Sequence, residues 1–80
     1  MPRYFFNILH GSEHHFDEHG EELPNPHAAW AEATKVAGQT IKDIDGKLQP
    51  DQDWRLEVRD EFGEPLWEIR VSAQDKRNQA

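Results

Sequence analysis

Eighty residues without a cysteine make one domain around one core and exclude disulfides, thiolate chemistry and cysteine-based zinc or iron–sulfur sites. A formal charge of −7, from 16 acidic and 9 basic residues, sets a field that repels phosphate backbones and anionic lipid, which disfavours nucleic acid and membrane as partners. Three Trp, four Phe and one Tyr supply enough large side chains for a two-layer core, which separates this chain from a disordered acidic tail.

Tyr4, Phe6 and Ile8 alternate with Phe5, Asn7 and Leu9, a period-two run rich in aromatic and branched residues that predicts a strand. Both faces are largely apolar, so the strand is placed inside a sheet, with Tyr4, Phe6 and Ile8 toward a helix and Phe5 and Leu9 on the opposite face. The run is too short for a signal peptide, and no stretch of the chain approaches the roughly 18 apolar residues of a membrane span; a cytoplasmic location is expected. His10-Gly11-Ser12 reads as a turn, His14 to Asp17 as a short polar edge strand, and Gly20 as a residue free to take positive φ.

Gly20-Glu21-Glu22-Leu23-Pro24 leads to Asn25, a helix cap, and Pro26, suited to the first helical position. Ala29, Ala33, Val36, Ala37, Thr40, Ile41 and Ile44 recur at spacings of three and four and form one stripe, with Glu32, Lys35, Gln39 and Asp43 toward water. The helix is expected to end near Asp45-Gly46, followed by a polar loop from Lys47 to Asp53 that contains Pro50. Trp54, Leu56 and Val58, then Trp67, Ile69 and Val71, mark two strands joined by the turn Asp60-Glu61-Phe62-Gly63. Ser72 onward has no periodicity, so the domain is 1–72 and 73–80 is expected to be a flexible tail.

The expected fold is therefore α+β: a two-layer ββαββ domain with one helix packed on a four-stranded antiparallel sheet and the first strand interior. A right-handed crossover through the helix favours the third strand beside the first, while the fourth strand in that position would also keep the first inside.

Met1-Pro2-Arg3-Tyr4-Phe5-Phe6, the Gly20-Glu21-Glu22-Leu23-Pro24 step into an Ala/Glu-rich helix, and the closing Val58-Arg59-Asp60-Glu61-Phe62-Gly63-Glu64-Pro65-Leu66 hairpin together resemble a family of small uncharacterised bacterial proteins, a domain of unknown function. The likeness spans nearly the whole chain and implies a fold but no catalytic residue. It also implies an acidic residue where this chain carries Asn7, and the histidine density is peculiar to this sequence.

His10, His14, His15, His19 and His27 fall within 18 residues, interleaved with Glu13, Asp17, Glu18, Glu21 and Glu22, all borderline or hard metal ligands. His14 and His15 point to opposite faces of a strand, so the candidate metal set is His10, His14 and His19. No serine motif or phosphate-binding glycine loop is present, and so small a chain has little room to desolvate an acid–base pair; no enzyme and no cofactor are expected. The face opposite the helix supplies the second candidate, an interaction surface of Phe5, Leu9, Arg55, Arg59, Leu66 and Arg70 for a protein partner or a second copy. Its arginines also admit a nucleic-acid reading, against which stand the single aromatic and the interleaved Glu57 and Glu68, or a plain set of cross-strand ion pairs. Trp30 flanks the helical stripe and is expected to pack beneath the first hairpin, the alternative being an exposed hot spot near the rim that seats a partner. A small non-catalytic interaction module is the function this pattern favours.

Overall fold

A computed structural model describes residues 1–44 and 53–77. Its elements are β1 (Arg3–His10), β2 (Glu13–His15), β3 (Glu21–Glu22), α1 (Pro26–Ile44), β4 (Asp53–Arg59) and β5 (Pro65–Ser72). The fold is α+β, with α1 against one face of an antiparallel sheet ordered β2-β1-β4-β5. The strand after the helix lies beside β1, the order favoured by a right-handed crossover. Among the described residues the sheet has five strands rather than four: β2 stops at His15, and a two-residue β3 returns to pair Arg3 and Tyr4 on the same side of β1.

The helix begins where its cap requires. Ala28 N–H donates to Asn25 Oδ1 at 2.8 Å and Ala29 N–H to the Asn25 carbonyl at 3.2 Å, which satisfies amides that no earlier turn can reach. The expected stop at Asp45-Gly46 and the loop around Pro50 lie outside the described residues. Beyond β5, residues 73–77 form neither strand nor helix, and Arg77 folds back on the Asp75 carboxylate at 2.8 Å; residues 78–80 lie outside the described set. Among the described residues no helix is long and apolar enough to cross a membrane.

The core lies between α1 and the strand pair β1/β4. Ala29, Ala33 and Ala37 are buried on the helix, and Tyr4, Trp54, Leu56 and Val58 on the sheet. Small residues on the helix let its backbone approach the large rings and branches below, so volume is conserved across the layer boundary. Register builds the rows: Phe6 faces Val58, which faces Trp67, and Ile8 faces Leu56, which faces Ile69. Trp54, Leu56 and Val58 are essentially inaccessible, and burying each stabilises the fold by about 1.5–3 kcal/mol. The hairpin that carries them turns on Asp60, whose Oδ1 accepts the N–H groups of Phe62 and Glu64, both at 2.9 Å, while Gly63 takes φ 81°. Between Val58 and Arg59 the register slips, with Val58 opposite Trp67 but Arg59 opposite Pro65. Leu66 is therefore the extra residue of a bulge.

Candidate functional site

The strand pairing assembles the face that points away from α1. Phe5 lies opposite Arg59, Asn7 opposite Glu57 and Leu9 opposite Arg55; across β4, Glu57 lies opposite Glu68 and Arg55 opposite Arg70. Phe5, Leu9, Arg55, Arg59 and Arg70 thus share one face, with Leu66 at its corner in the bulge. Two of these cross-strand pairs oppose like charges, an arrangement that destabilises a sheet unless relieved. Relief comes from diagonal and same-strand contacts. Arg55 Nη1 meets Glu68 Oε1 at 3.3 Å, Arg70 Nη2 meets Glu68 Oε2 at 3.4 Å, and Arg59 Nε meets Glu57 Oε1 at 2.6 Å.

Glu57 sits at the centre of this array. The Arg59 guanidinium holds its carboxyl below the usual value; burial pulls the other way, and the Asn7 amide and the charges of Arg59 and Arg55 add to the lowering. Arg59 also donates from Nη1 to the Gly63 carbonyl at 2.7 Å, so the same side chain ties the strand to its turn. Each of the three arginines already faces a carboxylate, which leaves the face less able to track a phosphate backbone than their number alone suggests.

A polar cluster not foreseen from the sequence anchors the other end of this face. Asn7 is buried; its Oδ1 accepts the Asp17 N–H at 3.0 Å and its Nδ2 reaches toward Glu57 Oε1 at 3.5 Å. Asp17 in turn accepts the Phe6 N–H on Oδ2 at 3.2 Å, and those of His19 and Gly20 on Oδ1 at 3.2 and 2.9 Å. A side-chain carboxylate therefore stands where a strand backbone would otherwise pair with the middle of β1. This is why the expected strand His14 to Asp17 ends early: Asp17 leaves the ladder in order to cap it. Gly20 follows with φ 71°, and a Cβ there would lie 2.8 Å from Arg3 Cγ and 2.9 Å from both Phe5 Cε1 and the Tyr4 carbonyl. The loop thus comes against Phe5 and covers part of the surface expected to be open. Two signals existed in the sequence: a lone amide in an apolar strand, and an Asp three residues before a Gly.

The histidines do not come together. His10 lies opposite Trp54 on the helix side of the sheet, His14 lies opposite Leu9 on the other side, and the His19 carbonyl accepts from Arg3 Nη1 at the far end of β1. Pleat alternation separates the first two and strand length removes the third. Among the described residues no three His, Asp or Glu side chains are grouped to hold a metal ion, so the His10, His14 and His19 set is corrected to dispersed groups. His14 instead meets the Phe16 ring edge-on at 5.9 Å, and His10 Nε2 is buried without a hydrogen-bond partner among the described residues.

The two borders of the sheet differ. One consists of the short β2 and β3, with the Asp17 loop between them; the other is β5, continuous from Pro65 to Ser72 and, among the described residues, paired on one side only. Beside β5, Trp30 stacks at a tilt on Trp67, ring centroids 5.5 Å apart, and remains 39% exposed. This replaces the expected position beneath the first hairpin, since Trp67 offers an apolar platform and β2 only exposed polar residues. An open cleft of about 310 Å³ lies alongside, lined by Glu57, Pro65, Leu66, Trp67 and Glu68.

The sequence model of a family described as Domain of unknown function (DUF6894) matches residues 3–72. The chain belongs to this family. The match runs from the first residue of β1 to the last of β5, so the DUF6894 unit comprises the whole sheet and the helix. No curated protein and no solved structure is significantly similar to the chain.

Proposed function

We propose that this DUF6894 domain is a small bacterial, cytoplasmic, non-catalytic module that binds another polypeptide along the β5 border of its sheet. The observation that carries this reading is the contrast between borders. Residues Pro65–Ser72 present a long row of backbone donors and acceptors on their unpaired side, the template that strand addition uses. Its flanks supply specificity: Trp67 and Trp30 on the helix side, Leu66, Glu68 and Arg70 on the other. Leu66 and Arg70 belong to the surface that the sequence marked; Phe5 and Leu9 lie on β1, with β4 between them and the border.

The test is peptide display against the immobilised full chain, followed by amide NMR with each selected peptide. Binders should be strand-forming and should perturb the amides of Pro65–Ser72 and the Trp30 and Trp67 side chains. A chain that stays monomeric and still yields no binder, or binders whose shifts fall on Glu13–Glu22, would overturn the proposal.

A further inference from the structure

The occupant of the β5 border can be named from charge and symmetry. We infer that it is a second copy of this chain, paired antiparallel through β5 about a two-fold axis at Ile69. This rests on the interaction reading above and specifies its partner.

Two copies related by an axis perpendicular to the sheet keep their helices on the same side, which requires each residue at the centre to face itself. The candidate registers are then centred on successive residues of β5. Centring on Glu68 sets two carboxylates face to face, and centring on Arg70 sets two guanidiniums face to face. Centring on Ile69 places Glu68 of each copy opposite Arg70 of the other, with Trp67 opposite Val71 of the second copy on the helix side. It also uses nearly all of Pro65–Ser72, whose midpoint lies beside Ile69. Glu68 and Arg70 suit this role because both are half-exposed, at 40% and 54%, and their mutual contact within one chain is long at 3.4 Å. Trp67, Ile69 and Val71, each only partly buried against the core, would complete their burial against the same residues of the second copy.

Sedimentation equilibrium on the full untagged chain tests this with four proteins: wild type, Glu68→Arg, Arg70→Glu and the double exchange. The wild type should dimerise. Either single exchange puts like charges across the seam twice and should raise the dimer dissociation constant about tenfold or more, whereas the double exchange should restore it. Within each chain the double exchange sets opposite charges across from Glu57 and Arg55 but gives up the diagonal Arg55–Glu68 and Arg70–Asp53 contacts, so the urea midpoint of each variant is measured beside its dimer constant. A second measurement reads the register directly. Because the chain has no cysteine, Glu68→Cys and Arg70→Cys proteins should cross-link on mixing far more readily than either alone. A wild type that stays monomeric to millimolar concentration, or a dimer indifferent to both exchanges and to the cysteine pairing, would overturn the inference. If a β5-directed peptide still binds such a monomer, only the second copy fails; if neither peptide nor copy binds β5, the module reading falls with it.

Discussion

Replacing Asp17 with alanine removes the acceptor for three backbone N–H groups at once, and the structure fixes what each loss should cost. Tyr4 pairs with Glu21 and Ile8 with His15, so among the described residues no strand backbone stands opposite Phe6 on that side; without the Asp17 carboxylate at 3.2 Å its half-buried N–H has no partner among them. An N–H left unpaired away from water costs about 1–3 kcal/mol, while those of the exposed His19 and the half-buried Gly20 exchange a charge-assisted bond for water at about half that for the two together, giving about 2–4 kcal/mol in all. Against the roughly 4–12 kcal/mol expected for 80 residues, this is a large share. The midpoint of thermal unfolding should fall on the order of 10–20 °C. Asp17→Asn keeps one oxygen but turns a donor toward an N–H, and should lose about 1–2 kcal/mol. Urea unfolding followed by tryptophan fluorescence, with Trp54 in the core as reporter, gives both values, and an unchanged m would place the loss in stability rather than in compactness. Hydrogen exchange at Phe6 supplies the local reading: it should accelerate more in Asp17→Ala than do the amides of β5. An alanine variant within about 0.5 kcal/mol of wild type, or an unaltered Phe6 amide, would refute the view that this carboxylate substitutes for a strand.

Gly20→Ala should destabilise by about 2–4 kcal/mol, because it combines a left-handed backbone with a Cβ pressed on the Tyr4 carbonyl, which cannot swing aside; a melting midpoint within a degree or two of wild type would contradict this. Glu57 makes a prediction in pH. Its carboxyl titrates below its ordinary value because of Arg59, so its stabilising contribution is full above the unfolded value near 4.5 and is lost as pH falls through the lower folded value. The stability gap between wild type and Glu57→Gln should therefore be constant from pH 7 to 5 and narrow below about pH 4, as read by urea titration; a gap that widens on acidification would invert the assignment. A double-mutant cycle on Trp30→Ala and Trp67→Ala should return a coupling of about 0.5–1.5 kcal/mol from the tilted ring pair, and a coupling near zero would leave Trp30 as an exposed ring resting on nothing of consequence.

What was legible in the sequence follows from how each feature is encoded. The faces of β1, the helix start at Asn25-Pro26 and the β4–β5 hairpin are written in local spacing, and they stand where spacing put them. β3 is not written that way. Glu21 and Glu22 have no apolar pattern and pair with β1 because Asp17, ten residues from Asn7 in the chain, closes the loop that returns them. Closeness along the chain also misled, since the histidines cluster in sequence while the pleat and the length of β1 scatter them. Trp30 shows a third limit: helical periodicity put it on the flank of the stripe, but which flank faces an apolar neighbour depends on the order of the strands.

The same loop that escaped the sequence explains why the proposed assembly would stop at two. A sheet with two usable borders can add copies without end, whereas a two-fold contact consumes the identical border on both chains. Among the described residues, pairing through β5 leaves only the β2/β3 side of each copy exposed. That side is interrupted by the Asp17 loop, which already occupies the middle of β1, and it carries Glu13, Glu18, Glu21 and Glu22, so a further copy would meet like charge and a broken ladder. The Asp17 clamp thus does two things with one carboxylate: it satisfies the Phe6 amide within the chain and closes the border through which a longer sheet would grow. Asp17→Ala, beyond its cost in stability, should therefore be the variant most prone to form species larger than a dimer, visible by light scattering at concentrations where the wild type remains discrete.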